Sequence, residues 1–225
     1  MTRLNWLMCL ITLGMSAFAG DVEGHAVITK RLTKKALSPV VYNLRGAVTS
    51  MQAPAEPQVS EFDRLVVVLE GGASHAKPPE TLVIDQRNLR FDPDLVIVPI
   101  GSTIQFPNAD PIFHNIFSLS KTQPFDLGFY PQGQSRTVKF NRNGIVQVYC
   151  HIHANMYAAI VVTSSPWYAR PSEDGSFSWT DVPAGHYRLT AWHKIAGLFK
   201  TEIDVPVSGK VDATIRIPID VDAGR

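Results

Sequence analysis

The chain has 225 residues, 45% of them apolar and 18% charged, an ordinary globular composition with room for one large domain or two small ones. A formal net charge of +1 provides no strong basic or acidic field, which argues against nucleic acid or a charged surface as the partner. Sixteen prolines and fifteen glycines, spread along the chain, point to many short elements joined by turns.

Residues 1–19 read as a secretory signal peptide. Arg3 supplies a positive start, Leu4 to Met15 is almost continuously apolar, and Ala17-Phe18-Ala19 is a small-x-small cleavage site. The apolar run is short of the roughly 20 residues of a membrane span, so no stable membrane insertion is expected after cleavage. A periplasmic or otherwise exported location follows. Cleavage removes Cys9 and leaves Cys150 as the sole cysteine, which rules out an internal disulfide. A lone thiol in an oxidising compartment needs protection, by burial or by a metal.

Residues 20–70 form an N-terminal β segment that includes the apolar run Leu65 to Leu69. Two polar, proline-bearing stretches, 49–60 and 71–80, read as linkers. Within 71–163, the runs Leu95 to Val98, Ile104 to Phe106, Ile145 to Tyr149 and Ala158 to Val162 suit sandwich strands, separated by turns such as Asp92-Pro93-Asp94 and Asn143-Gly144. Thr163-Ser164-Ser165-Pro166 breaks the pattern, and Val211 to Ile217 alternates strictly as a half-buried strand. No stretch shows a convincing 3.6-residue period. The prediction is all-β and sandwich-like.

Chemistry concentrates between residues 111 and 156. Cys150, His153 and Met156 form C-x-x-H-x-x-M directly after an expected strand, and His114 precedes them by a strand and a turn. One thiolate and two imidazoles with a weak axial thioether is the arrangement that suits copper in electron transfer. Strand alternation puts Val146, Val148 and Cys150 on one inward face, and Asn108 and Asn115 are placed to bond the ligand loop or the sulfur. A Cys–His catalytic dyad and a zinc site remain alternatives, although no oxyanion-hole motif accompanies the first and a lone Cys with Met is unusual for the second. His25, His75, His186 and His193 read as structural or solvated, His193 being set apart by its neighbour Trp192. No phosphate loop, carboxylate pair or nucleophile elbow appears, so no enzymatic activity is expected.

The stretches DQRNLRFDPDLVIVPIGSTIQFPNADPIFHNIFS and FNRNGIVQVYCHIHANM, followed by YAAIVV, resemble the cupredoxins of the plastocyanin and amicyanin type over roughly residues 81–163. The resemblance implies a Greek-key β-sandwich, one copper ion per chain on His114, Cys150, His153 and Met156, and single-electron transfer with a redox protein partner. Copper storage, delivery or sensing is the alternative function. Ala154 stands where many short-loop relatives carry proline, and His151, after Cys150, reads as a surface imidazole, an alternative ligand or an electron entry point. Residues 164–225, with EDGSFSWTDVPAGHYRLTAWH, resemble the carboxypeptidase-regulatory-like or transthyretin-like sandwich. There Gly175 and Gly185 are expected in turns and Phe177 and Tyr187 as an inward aromatic pair. About 60 residues is thin for an independent core, so residues 20–70 are expected to supply the missing strands around an inserted copper sandwich. The whole chain is similar to exported proteins labelled methylamine utilisation protein.

Overall fold

A computed structural model describes residues 19–29, 60–72 and 76–217. Most of the expected leader, most of the 49–60 linker and His75 lie outside the described residues. Two strands come first, β1 (Ala19–Ile28) and β2 (Leu65–Glu70). Ten follow: β3 (Thr81–Val83), β4 (Asp85–Arg87), β5 (Arg90–Asp92), β6 (Leu95–Pro99), β7 (Thr103–Pro107), β8 (His114–Ser118), β9 (Phe125–Tyr130), β10 (Ser135–Lys139), β11 (Gly144–Tyr149) and β12 (Tyr157–Thr163). The last are β13 (Tyr168–Ala169), β14 (Ser176–Pro183), β15 (Gly185–His193), β16 (Gly197–Val205) and β17 (Lys210–Ile217). A single 3-10 turn, Glu61–Arg64, interrupts this all-β sandwich structure among the described residues. The apolar runs expected as strands fall in β2, β6, β7, β11, β12 and β17.

The strands gather around two cores. Sheet β6-β12-β11-β8-β9, sheet β10-β7-β3 and the hairpin β4-β5 enclose one core that includes Phe106, Ile116, Tyr130, Val148 and Ile160. Sheets β14-β1-β17 and β13-β2-β15-β16 enclose the other, with Val22, Leu65, Leu69, Phe177, Tyr187 and Ile215. β1 lies between β14 and β17, and β2 between β13 and β15, so both early strands pair with the C-terminal ones.

The unbroken apolar runs have a physical reason. An alternating strand has one face to bury, whereas a run of valines and leucines must bury both. In β2, Leu65, Val67 and Leu69 enter one core while Val66 turns the other way. In β12, Ala158, Ile160 and Val162 face the first core, and Ala159 and Val161 turn outward to meet Val66, Leu95 and Trp192. This third cluster is the seam between the two sandwiches. Burying the larger of these side chains, Val66, Leu95 and Val161, is worth roughly 1.5–3 kcal/mol each. At its edge the Lys194 ammonium pairs with Asp94 and sits 4.7 Å from the centre of the Tyr157 ring. Burial holds the Lys194 pKa below its usual value, against the pull of Asp94.

The C-terminal half departs from expectation in detail. Gly175 has a left-handed φ of +85°, as a turn requires, but Gly185 does not and opens β15 instead. Phe177 and Tyr187 share a core, yet their ring partners are Trp179 at 5.1 Å and Trp167 at 5.8 Å respectively. A Cβ on Gly175 would lie 2.4 Å from the Ala26 carbonyl oxygen and 2.8 Å from the Phe62 ring. The backbone oxygen cannot retreat without disturbing β1. Gly175→Ala is expected to destabilise the chain by about 1–3 kcal/mol, measured as a lower urea midpoint.

His193 is fully buried at the end of β15. Its Nδ1 accepts from the backbone N–H groups of Ala196 at 3.1 Å and Ile195 at 3.3 Å, so the ring hydrogen resides on Nε2. Nε2 lies 3.1 Å from a Glu61 carboxylate oxygen but off the line of a good hydrogen bond. Burial holds the His193 pKa below the usual histidine value despite that carboxylate. A depressed histidine pKa means the unfolded chain takes up a proton that the folded chain refuses, so stability is lost as pH falls through about 6.5. The urea midpoint is expected to drop between pH 7.5 and pH 5.5, and less steeply in His193→Gln.

Candidate metal centre

The β11–β12 hairpin builds the site. Its ladder closes on the pair Tyr149–Tyr157, and the seven residues between them, Cys150 to Met156, form the connecting loop. Alternation along β11 sends Val146 and Val148 into the core, and Cys150, one step beyond the strand, follows them. Its burial is what the alternation of β11 led us to expect. Met156, at the other end of the loop, is fully buried in the same core, and its N–H donates to the His153 carbonyl at 3.0 Å. That bond curls the loop back and brings His153 toward Cys150.

His114 arrives from β8, which lies beside β11 and pairs with β9 through His114–Tyr130. It is fully buried, whereas His153 is half-buried. The His114 and His153 Nδ1 atoms stand 3.0 Å apart, and the Cys150 sulfur is 3.9 Å from the first and 3.7 Å from the second. His114, Cys150 and His153 thus form a three-donor cluster of metal-binding type.

The triangle fits an ion. With sides of 3.0, 3.9 and 3.7 Å, its circumradius is about 2.1 Å, near the roughly 2.0–2.3 Å of bonds from a first-row divalent metal to imidazole and thiolate. The chemistry of the donors agrees. Nε2 of His114 lies 2.9 Å from the Asp110 carboxylate, so the ring hydrogen belongs there and Nδ1 presents a bare lone pair. A second nitrogen 3.0 Å away must then bring either a proton or a shared cation between them.

Asp110 was not singled out from sequence. It is buried, accepts from the Asn88 and Leu89 backbone N–H groups at 2.6 and 2.9 Å, and sits four residues before His114. Burial would raise its pKa, but the Leu89 N–H, His114 and the Asn88 N–H together hold it below the usual carboxylate range. The D-x-x-x-H spacing was the available signal.

Asn108 and Asn115 depart from expectation, for their side chains bond neither the loop Cys150 to Met156 nor the Cys150 sulfur. The Asn108 amide donates to the carbonyls of Ile112 at 2.8 Å and Tyr130 at 3.1 Å, and its oxygen accepts from the Asp110 N–H. It therefore shapes the turn that presents Asp110 and His114. The Asn115 amide donates to Asp126 at 2.7 Å. His151 turns outward, stacks flat on Phe117 with 3.8 Å between ring centres, and lies 3.5 Å from Asp126. Alternation sends His151 outward next to the inward Cys150, whereas the Met156 N–H bond to the His153 carbonyl turns His153 back toward the sulfur.

No family model matches this chain, and no curated protein matches it. Solved structures do. A reduced amicyanin variant aligns at 19% identity over 37% of this chain and 82% of its own, with a TM-score of 0.35. A second amicyanin variant, in its reduced Cu(I) form at pH 4, aligns at 16% identity over 43% of this chain and 98% of its own, also at 0.35. A Cu-containing nitrite reductase from Thermus scotoductus SA-01 aligns at 23% identity over 42% of this chain and only 24% of its own, at 0.35. At these scores the case for a metal rests on the donor geometry.

Proposed function

We propose that this protein is an exported single-electron carrier holding one copper ion on His114, Cys150, His153 and Met156. We further propose that the copper sandwich, residues 71–163, is inserted into a second sandwich formed by residues 20–70 and 164–225. The observation that carries the copper reading is the donor triangle with one point about 2.1 Å from all three donors. Thiolate with two imidazoles suits copper, and Met156, buried in the same core as Cys150, supplies a soft fourth donor type that zinc sites seldom use. Bound copper supplies a one-electron couple, Cu(II)/Cu(I), without transforming a substrate.

The protein's own contribution is a fixed, dry frame. Cys150 and Met156 are packed among core side chains, and His114 is held from behind by Asp110. Rigid donors limit the rearrangement that accompanies each change of charge. His153 is the half-buried donor; Ile152, just before it in sequence, and Ile112 and Phe113, just before His114, are 52%, 42% and 56% exposed. Such side chains suit brief contact with a redox protein rather than with a charged polymer.

Copper-loaded protein is expected to show an intense thiolate-to-copper band in the visible, to bleach reversibly with reductant and to hold one ion per chain. Cys150→Ser is expected to abolish the band. Colourless loaded protein, or colour retained by Cys150→Ser, would sink the carrier reading, whereas tight colourless Cu(I) binding would move the function to storage or delivery.

A further inference from the structure

The tip of the β4–β5 hairpin carries two consecutive non-glycine residues in the left-handed region, Asn88 at φ +55° and Leu89 at φ +57°. They are the two-residue loop between the paired Arg87 and Arg90, and a hairpin turn of that length favours positive φ at both positions. The same conformation converges two N–H groups on one anion, in the manner of a backbone nest. The Asn88 N–H meets one oxygen of Asp110 at 2.6 Å and the Leu89 N–H meets the other at 2.9 Å. The His114 ring N–H completes the set at 2.9 Å. Three donors thus face a carboxylate that is only 6% exposed and take three of its four lone-pair sites.

We propose that Asp110 is the positioning residue of the centre, and that the Asn88–Leu89 tip is built to keep it there as an anion. Two consequences follow. The first is geometric: the carboxylate locks His114 in the tautomer whose bare Nδ1 faces Cys150 and His153. The second rests on the copper reading. Together with the Cys150 thiolate, Asp110 provides two negative charges for one cation in a site sheltered from water, where charge interactions are strong. Two charges balance a divalent ion and over-balance a monovalent one. Asp110 therefore favours Cu(II) over Cu(I) and lowers the reduction potential.

Asp110→Asn in the full chain tests both. In metal-free wild-type protein, nitrogen NMR of the imidazoles should find His114 protonated at Nε2, and in Asp110→Asn that preference should be lost. In copper-loaded protein, Asp110→Asn should weaken Cu(II) about 10–100-fold, a typical cost for removing a group that orients a ligand. Cu(I) affinity should fall less and the reduction potential should rise. An unchanged His114 tautomer and an unchanged Cu(II)-to-Cu(I) affinity ratio in Asp110→Asn would overturn the proposal. So would wild-type His114 protonated at Nδ1, a result that needs no variant to fold. If wild type gives no thiolate–copper band, the carrier reading fails while the NMR arm still decides the role of Asp110.

Discussion

The donor triangle hangs from one cross-strand pair, Tyr149 opposite Tyr157, whose rings stack 5.2 Å apart on the sheet surface. Every loop donor lies between these two residues. Because strand side chains alternate, a slip of one residue in this ladder would turn Cys150 outward and Tyr149 inward. The slip is opposed along the whole of both strands. Val146 and Val148 have the core on their face, and β12 is packed on both of its faces. The position of the sulfur is therefore settled by ordinary hydrophobic packing several residues away, before any ion is bound. The metal would select among few arrangements rather than create one.

The same two-sided burial joins the halves of the molecule. A sandwich that bound an ion at one end would normally leave the outer face of its larger sheet to water. Here Ala159 and Val161 on that face meet Val66 and Trp192, and Lys194 closes the edge over Tyr157.

Much of this was legible in the residues. The alternation of Val211 to Ile217 and the valine-rich runs of β2 and β12 announce strands, and Cys150, His153 and His114 announce a soft-and-imidazole donor set. What could not be read was the partner of each buried face. A run such as Leu65 to Leu69 demands burial on both sides without naming what buries it. Asp110 was missed for a related reason. A carboxylate in an Asn-Ala-Asp-Pro turn reads as solvated, and only the fold brings the Asn88 and Leu89 N–H groups, about twenty residues earlier, to meet it. His151 and His153 are chemically alike, and their different fates were decided by the Met156-to-His153 backbone bond and the flat face of Phe117.

The threading of the chain has a consequence for how it is made. β2 ends before the ten strands of the first core, and Ser165 returns to donate to the Leu69 carbonyl across a separation of 96 residues. β1 waits longer still, for Lys210 closes on Glu23 over 187. Chain emerging from a ribosome can thus complete β3 to β12 while β1 and β2 have no partners. Closing such long loops is entropically slow. Until β3 to β12 have paired and brought Leu69 and Ser165 together, the edges of the early strands stay open to other chains.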